Sequence, residues 1–157
     1  MEAVNAVGKN IIESERAYCA GFIDADGAIM VCIEKHAAKK FGFRVRVSVK
    51  ITQRDKSVAE WFLKKFGVGR IKANRFGTDR TNFEWEVKDQ KVAAEVIEIL
   101  LPYLQFKKRQ ALLALRILRT PIRSKAKLQK TARLADRLAS FNVRSRLRRK
   151  NFASMIQ

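Results

Sequence analysis

The sequence predicts an α+β fold in which helices and β-hairpins follow in the order αββαββα, with further helices toward the C-terminus. Three observations predict it. Apolar residues recur with a helical period in some segments and alternate with polar residues in others, and glycine, proline and capping residues mark the boundaries. The unit of one helix and one hairpin also occurs twice. This pattern predicts one antiparallel sheet that is backed by helices on one face and open on the other.

The first helix is predicted from Ser14, a plausible N-cap, through Ala25, with Gly27 just past its end as a stop signal. From Ala28 the period changes to two, which predicts a strand. The apolar face of this strand carries Ile29, Val31 and Ile33, and its other face carries Met30, Cys32, Glu34 and His36.

The segment 36–42 is basic and contains glycine, which predicts a hairpin connection to the clearest alternation in the chain. The apolar positions of this second strand are Phe43, Val45, Val47, Val49 and Ile51. Its opposite face carries Arg44, Arg46, Ser48, Lys50 and Thr52. Such alternation is typical of a strand with one face on the core.

A second helix is predicted to begin at a capping box formed by Ser57 and Glu60, to run to Phe66 and to stop at Gly67. Residues 70–74 and 82–88 then predict a second hairpin. Its inward residues are Ile71, Ala73, Phe83, Trp85 and Val87. Its outward residues are Arg70, Lys72, Asn74, Asn82, Glu84 and Glu86.

The C-terminal part of the chain is predicted to be helical. Asp89 is expected to cap a third helix that Pro102 ends, and a fourth runs from about Lys107 to Arg119. One more helix, which carries Leu128, Leu134 and Leu138, precedes a basic tail. The 157 residues suit a single domain, with a core fold over about 14–120 and a basic helical extension over about 121–157.

The charge of the chain predicts an anionic partner. There are 34 Lys and Arg residues against 15 acids, which leaves a formal charge of +19, while a hydrophobic fraction of 47% argues for a folded protein. Nucleic acid is the natural partner. A membrane surface would also attract this charge, and a basic amphipathic helix near the C-terminus is compatible with one, but no apolar run is long enough to span a membrane.

Cysteine and histidine usage narrows the chemistry. Cys19 and Cys32 have no metal-type spacing, and the chain opens with neither a secretory nor a transit-peptide pattern, so both are expected to be reduced thiols inside a cell. The compartment, whether an organelle or a prokaryotic cytoplasm, stays open. A single histidine, His36, disfavours a zinc or histidine-based nuclease site. There is no glycine-rich phosphate loop, so no nucleotide cofactor is expected.

The predicted end of the first helix carries the most specific pattern, Cys19-Ala20-Gly21-Phe22-Ile23-Asp24-Ala25-Asp26-Gly27. It resembles the motif that names the LAGLIDADG endonucleases at seven of nine positions, and the two departures, Cys19 and Phe22, replace leucine by another apolar residue. The resemblance extends over roughly the first 120 residues. It implies a homing-endonuclease fold with a saddle-shaped antiparallel sheet.

A ridge of small residues, Ala17, Gly21 and Ala25, recurs every four positions along this helix and permits close packing. From the residues alone, the partner is either the chain's own core or the same helix of a second protomer. Because only one motif occurs, the resemblance implies a homodimer. Its implied interface contains Ala17, Ala20, Gly21 and Asp24.

Asp24 and Asp26 lie at the negative end of the helix dipole, where a divalent cation would compensate their charge, and hard oxygen ligands suit magnesium. The alternative to metal binding is that each aspartate is simply a turn or helix-cap residue. The resemblance assigns metal binding and catalysis to Asp26, with the backbone carbonyl of Ala25 as a further ligand and Asp24 in a structural role. It implies that Mn²⁺ substitutes for Mg²⁺ and that Ca²⁺ supports binding without cleavage.

Two further catalytic residues come from the resemblance. Gln53 ends the second strand, where relatives carry a polar residue that orders water in the active site. Lys107 resembles a basic residue that relatives place near the cleaved phosphate, and Lys108 and Arg109 are the alternatives for that role. Without the resemblance, Gln53 reads equally well as a polar residue at a strand end and Lys107 as a solvated charge on a helix. Ser57 and Lys56 occupy the place where relatives often carry another basic residue.

The polar face of the sheet is predicted to read double-stranded DNA in the major groove, with the basic C-terminal segment on the phosphate backbone. The expected backbone contacts include Arg144, Arg146, Arg148, Arg149 and Lys150. The expected reading residues are Met30, Cys32, Glu34, His36, Arg44, Arg46, Ser48, Lys50, Arg54, Arg70, Lys72, Asn74, Asn82, Glu84 and Glu86.

Together these features predict a homing endonuclease that makes double-strand breaks in a long pseudo-palindromic site by metal-dependent hydrolysis. The alternatives are an RNA maturase or a non-catalytic DNA-binding protein with the same fold. A different nuclease pattern, an acid and a lysine at Glu86 and Lys88 with Asp79 upstream, leaves the nine-residue motif unexplained.

Overall fold

A computed structural model of the protein describes residues 7–77, 80–142 and 151–156, with the backbone alone of Phe76. The elements follow the predicted order αββαββα, with the two predicted helices after the third and an unpredicted short one at the end of the described chain. They are α1 (Glu13–Asp26), β1 (Gly27–Lys35), β2 (Phe43–Gln53), α2 (Lys56–Phe66), β3 (Arg70–Phe76), β4 (Arg80–Val87), α3 (Gln90–Leu100), α4 (Lys108–Leu118), α5 (Lys125–Asn142) and α6 (Phe152–Met155).

The α+β prediction is confirmed. The seven elements α1 to α3 form the αββαββα core, α4 and α5 follow as the two predicted helices, and α6 is the short helix that the sequence did not predict. Among the described residues, no helix has both the length and the apolar character needed to cross a membrane.

The four strands form one antiparallel sheet in the order β1-β2-β4-β3. Strands β2 and β4 pair only through Val49–Gln53 and Phe83–Val87, which brings the two hairpins together at one end. The predicted alternation is observed, because one face of the sheet is buried under the helices. Its fully buried residues include Ile29, Val47, Val49, Ile51 and Trp85.

An aromatic cluster joins α2 to the sheet. The ring of Trp85 lies 5.3 Å from that of Phe62 and 5.2 Å from that of Phe66, measured between centroids. The Trp85 indole N–H donates to the carbonyl of Val68 at 2.9 Å. Trp85 therefore fills the core with its ring and satisfies its polar group on the turn before β3.

Two predicted helix caps are wrong. Helix α1 is capped at Ile12, not Ser14, and the carboxylate of Glu15 accepts from the Ile12 N–H at 3.3 Å. Helix α2 is capped by Asp55, whose carboxylate accepts from the Ser57 N–H at 2.9 Å. An aspartate that reaches the second N–H of the helix replaces the predicted capping box, which leaves Ser57 inside the first turn.

Side chains cover the strand edges that the pairing leaves open. The Gln90 side chain bonds both backbone groups of Val47, with 2.8 Å to the N–H and 2.9 Å to the carbonyl, and so substitutes for a neighbouring strand beyond the end of β4. On the outer edge of β1, the Asn142 amide donates to the Ile29 carbonyl at 2.8 Å. The end of α5 is thereby held against β1.

Helix α6 is attached to α5 through Asp136. The Asp136 carboxylate accepts from the N–H groups of Phe152 at 2.6 Å and Ala153 at 3.1 Å, and Phe152 is buried. The predicted phosphate contacts at Arg144, Arg146, Arg148, Arg149 and Lys150 lie outside the described residues.

Candidate active site and nucleic-acid interface

Helix α1 passes into β1 with no intervening loop. Asp26 is its last residue and Gly27 is the first residue of the strand. A Cβ atom at Gly27 would lie 2.6 Å from Ile23 Cδ1 and 2.8 Å from Ile23 Cα, so a larger residue does not fit this junction. The final glycine of the motif therefore places the carboxylate of Asp26 directly at the end of the sheet.

The antiparallel register brings Gln53 to the same place. Gly27 lies opposite Ile51, so that Gln53, two residues farther along β2, comes level with the end of α1. The Gln53 amide donates a hydrogen bond to the Asp26 carboxylate. The structure thus brings together two residues that the sequence analysis singled out separately.

Asp24 binds the loop before α4. Its carboxylate accepts from the backbone N–H groups of Gln105 at 2.7 Å, Phe106 at 3.2 Å and Lys107 at 2.8 Å. These three donors compensate its charge at the negative end of the helix dipole. Asp24 is therefore a structural residue of the chain's own fold.

The same loop carries Lys107 to the end of α1. Its ammonium group donates to the backbone carbonyl of Asp24 at 2.6 Å. Lys107, Gln53 and Asp26 consequently surround one end of the sheet, although they come from a loop, a strand and a helix. The sequence analysis did not single out Gln105 and Phe106; the signal for them was the short stretch between Pro102 and the next helix, which forces a tight connection.

The donors at this end suit one hard divalent cation. Asp26 is exposed, and so is Ala25, which precedes it in the chain. In the part of the chain that the structure describes, no group of three or more His, Cys, Asp or Glu residues is placed to hold a metal. Magnesium commonly takes only one or two protein carboxylates, so a single carboxylate fits it and does not fit a dedicated zinc or calcium cage.

The ridge of small residues is open to solvent in the single chain. Ala17, Gly21 and Ala25 are exposed, and a Cβ atom built on Gly21 has nothing within 4 Å. The chain's own core therefore does not pack on this ridge. Ala20, which was predicted for the same interface, is fully buried on the core side of the helix.

Most of the predicted DNA-reading residues share the sheet face that is opposite the core. Two lie just beyond the strands: His36 in the β1–β2 turn, with its Nδ1 buried and without a hydrogen bond among the described residues, and Arg54 after β2. The residues on the face itself are Met30, Cys32, Glu34, Arg44, Arg46, Ser48, Lys50, Arg70, Lys72, Asn74, Asn82, Glu84 and Glu86.

Ion pairs join the glutamates of this polar face to neighbouring arginines and lysines. Glu34 binds Arg44 and lies 3.5 Å from Arg46. The hydrogen bond from Arg44 lowers the pKa of Glu34. On β4, Glu84 lies 2.9 Å from the Lys50 ammonium, and Glu86 lies 3.1 Å from that of Lys88.

The two β4 glutamates are far less accessible than outward-facing residues are expected to be. Glu84 is 6% exposed and Glu86 is 5% exposed. The reason is that β4 lies between β2 and β3, whose long side chains extend over it. For the rival nuclease pattern, Glu86 pairs with Lys88, and its third member, Asp79, lies outside the described residues.

Comparison with known proteins identifies the family. The family model described as LAGLIDADG endonuclease matches residues 19–117. The DNA endonuclease I-CvuI of Chlorella vulgaris is 33% identical over 129 residues, which are 78% of this chain and 76% of the relative. The DNA endonuclease I-CreI of Chlamydomonas reinhardtii is 30% identical over 105 residues, which are 64% of this chain and 60% of the relative's length.

Solved structures agree in fold. I-CvuI in complex with the I-CreI target has a TM-score of 0.80 at 28% identity, covering 92% of this chain and 90% of that one. The archaeal intron-encoded homing endonuclease I-Vdi141I, complexed with DNA, has a TM-score of 0.76 at 24% identity, covering 92% and 95%. Because the family model matches more than half of this chain, the chain belongs to the LAGLIDADG endonuclease family.

Proposed function

We propose that this protein is a site-specific homing endonuclease that cuts both strands of a long pseudo-palindromic DNA site by metal-dependent hydrolysis. The observation that carries the proposal is the convergence of Asp26, Gln53 and Lys107 at one end of the polar sheet face. The family and its DNA endonuclease relatives support it. Because the proposed substrate is DNA, an intracellular location is part of the proposal.

Asp26 is the residue proposed to hold the metal, with the backbone carbonyl of Ala25 as a second donor. When bound, a divalent cation lowers the pKa of a coordinated water and stabilises charge on the phosphate. I-CvuI structures with DNA have been obtained in magnesium, where the DNA was not cleaved, and in calcium, which supports the use of a divalent metal. For this chain we propose Mg²⁺ as the working metal, Mn²⁺ as a substitute, and Ca²⁺ as an ion that supports binding without cleavage.

The other two residues act around that carboxylate. The Gln53 amide, bonded to Asp26, holds the carboxylate in one orientation and presents its own carbonyl oxygen to a nearby water. The Lys107 ammonium is anchored at the end of α1, where its charge stabilises a phosphate beside Asp26. Gln53 is held by its bond to the Asp26 side chain and Lys107 by its bond to the backbone of α1, which favours a fixed geometry.

A second copy of the chain completes the site. One Asp26 serves one strand, and cutting both strands symmetrically needs two. The exposed ridge of Ala17, Gly21 and Ala25 supplies a surface on which the same helix of a partner packs closely. Packing there brings the two Asp26 carboxylates toward a common axis, because Asp26 ends the helix that carries the ridge.

The test is cleavage of a library of double-stranded DNA sites by wild type and by Asp26→Asn, with Mg²⁺ or Ca²⁺. We expect Mg²⁺-dependent double-strand cutting at one site, lost in Asp26→Asn while binding is retained. The matched control is Asp89→Asn, the same change at an exposed helix cap, where asparagine also caps well. Binding without cutting by wild type would instead support the maturase or the non-catalytic DNA-binding protein.

A further inference from the structure

Glu84 lies in the middle of the polar sheet face and is almost completely covered. Its Oε2 atom accepts from the Lys50 ammonium at 2.9 Å and from the Thr52 hydroxyl at 3.2 Å. Both donors come from β2, and 6% of the residue is exposed. The carboxylate is therefore engaged with two neighbours before any DNA arrives.

The cross-strand register shows that Lys50 pairs with Glu84 although the two residues are not directly opposite each other. Directly opposite Glu84 on β2 is Thr52, while Lys50 is directly opposite Glu86. The ammonium of Lys50 nevertheless reaches diagonally to Glu84. A lysine side chain is long and flexible, so the buried carboxylate selects one of the many positions that the ammonium would otherwise take.

Other glutamates of this face, on β4 itself and on β1, are also paired with cations. Glu86 lies 3.1 Å from the Lys88 ammonium and 3.7 Å from the Arg70 guanidinium, and Glu34 pairs with two arginines of β2. Lys72, which is directly opposite Glu84 on β3, is exposed and has no ion pair within the described part of the chain. The polar face therefore carries several cations that are paired with acids and, within the described residues, at least one unpaired cation, Lys72.

We propose that Glu84 is a positioning residue for specificity: it does not read a base itself but aims Lys50 at one base pair in each half-site. This inference rests on the proposed DNA-binding function. A covered carboxylate that already accepts two hydrogen bonds is poorly placed to accept from a cytosine amino group. A lysine ammonium that uses one N–H group to bind a buried carboxylate keeps two further N–H donors. These can point away from the protein, toward the acceptor edge of a guanine.

The negative charge has a second consequence for selectivity. A carboxylate paired with a lysine ammonium lowers the attraction of that lysine for any phosphate. Attraction to phosphate carries no sequence information. Removing the acid frees Lys50 to follow the backbone. Discrimination at its base pair then falls, while affinity for unrelated DNA does not.

The experiment uses the full chain in Ca²⁺ and a double-stranded DNA library, from which a preferred site is selected and every single-base variant of it is measured. Lys50→Met identifies the base pair that Lys50 reads. We expect Glu84→Gln to lose about five-fold or more of the discrimination at that same base pair and to leave the others unchanged. In the double variant, Glu84→Gln adds no further loss at that base pair to Lys50→Met.

The matched control is Glu98→Gln, which removes an equal charge from another ion-paired glutamate, on α3, bonded to Arg119. A thermal melt of each variant checks the fold. If Glu84→Gln does not fold, Thr52→Val removes the second donor to the same carboxylate, and we expect a smaller loss at the same base pair.

Three results overturn the proposal for Glu84. One is unchanged discrimination in a folded Glu84→Gln protein, or in Thr52→Val where that variant replaces it. Another is a loss at a cytosine-containing pair that Lys50→Met leaves untouched, because Glu84 would then read the base itself. The third is an equal loss at all positions in Glu84→Gln and Glu98→Gln. A wild type that binds no DNA in the library contradicts the proposed function itself, which is a different outcome.

Discussion

Asp24 and Lys107 are bonded to each other in both directions. The Asp24 carboxylate accepts from the Lys107 backbone N–H at 2.8 Å, and the Lys107 ammonium donates to the Asp24 backbone carbonyl at 2.6 Å. The end of α1 and the start of α4 are thus joined beside Asp26. The motif's first acid shapes the site by holding the loop that carries Lys107.

The first prediction concerns this loop. Asp24→Ala removes the acceptor of three backbone N–H groups, and we expect it to lower the free energy of unfolding by about 2 kcal/mol. Asp24→Asn keeps one acceptor oxygen and should lose less. Urea unfolding measures both. The comparison is Asp89→Ala, which loses one cap hydrogen bond and about 1 kcal/mol of the free energy of unfolding. If Asp24→Ala loses no more stability than Asp89→Ala, Asp24 does not hold the loop.

The second prediction concerns the small-residue ridge. Gly21→Leu meets open space in the single chain and improves helix propensity by about 0.8 kcal/mol, so the fold should remain intact. If α1 packs on its copy, the leucine side chain separates the two helices, and the protein becomes monomeric in sedimentation analysis. Ala126→Leu, at an exposed position on α5, should leave the dimer unchanged. A Gly21→Leu dimer would place the interface elsewhere.

The third prediction compares two glycines with positive φ that flank the turn before β3. A Cβ at Gly67, where φ is 67°, meets nothing within 4 Å, so Gly67→Ala should cost about 1 kcal/mol of backbone strain. A Cβ at Gly69, where φ is 95°, lies 2.6 Å from Trp85 Nε1, and Gly69→Ala should cost about 3 kcal/mol. Chemical denaturation of the two variants measures the difference. Equal losses would mean that the Trp85 ring moves aside freely.

The fourth prediction concerns Cys19. Burial raises the pKa of its thiol to about 12, so roughly one molecule in ten thousand carries the thiolate at pH 8. In a Cys32→Ser background, a disulfide reagent should label Cys19 only when the protein unfolds. The labelling rate should therefore follow denaturant concentration through the unfolding transition. Rapid labelling of the folded protein would contradict the burial of this side of α1.

The fifth prediction is a pH dependence of stability. The hydrogen bond from Arg44 lowers the pKa of Glu34 below its ordinary value of 4.5. A lowered pKa in the folded state means that the pair stabilises the protein above about pH 4.5 and that this contribution is lost as the pH falls through the lowered value. The melting temperatures of wild type and Glu34→Gln should therefore differ near pH 7 and converge in acid. A difference that persists at pH 2 would need another cause.

Much of the architecture follows from the sequence by itself. The alternation from Phe43 to Ile51 determined which side of β2 faces the core, because successive side chains of a strand point to opposite faces. The nine-residue motif determined where α1 ends, and the excess of basic residues predicted an anionic partner. Each of these is local or compositional, so it needs no knowledge of which segments meet.

The tertiary structure decided which residues meet. Gln53 reaches Asp26 across 27 positions of sequence because the β1–β2 register aligns Gly27 with Ile51. The loop at 105–107 binds Asp24 from more than 80 positions away, since α4 packs against β1, the strand that follows α1 directly. Glu84 looked like an outward residue, yet it is covered, because the strand order places β4 between two strands with long side chains. Periodicity assigns a residue to a face, and only strand order and register determine its neighbours there.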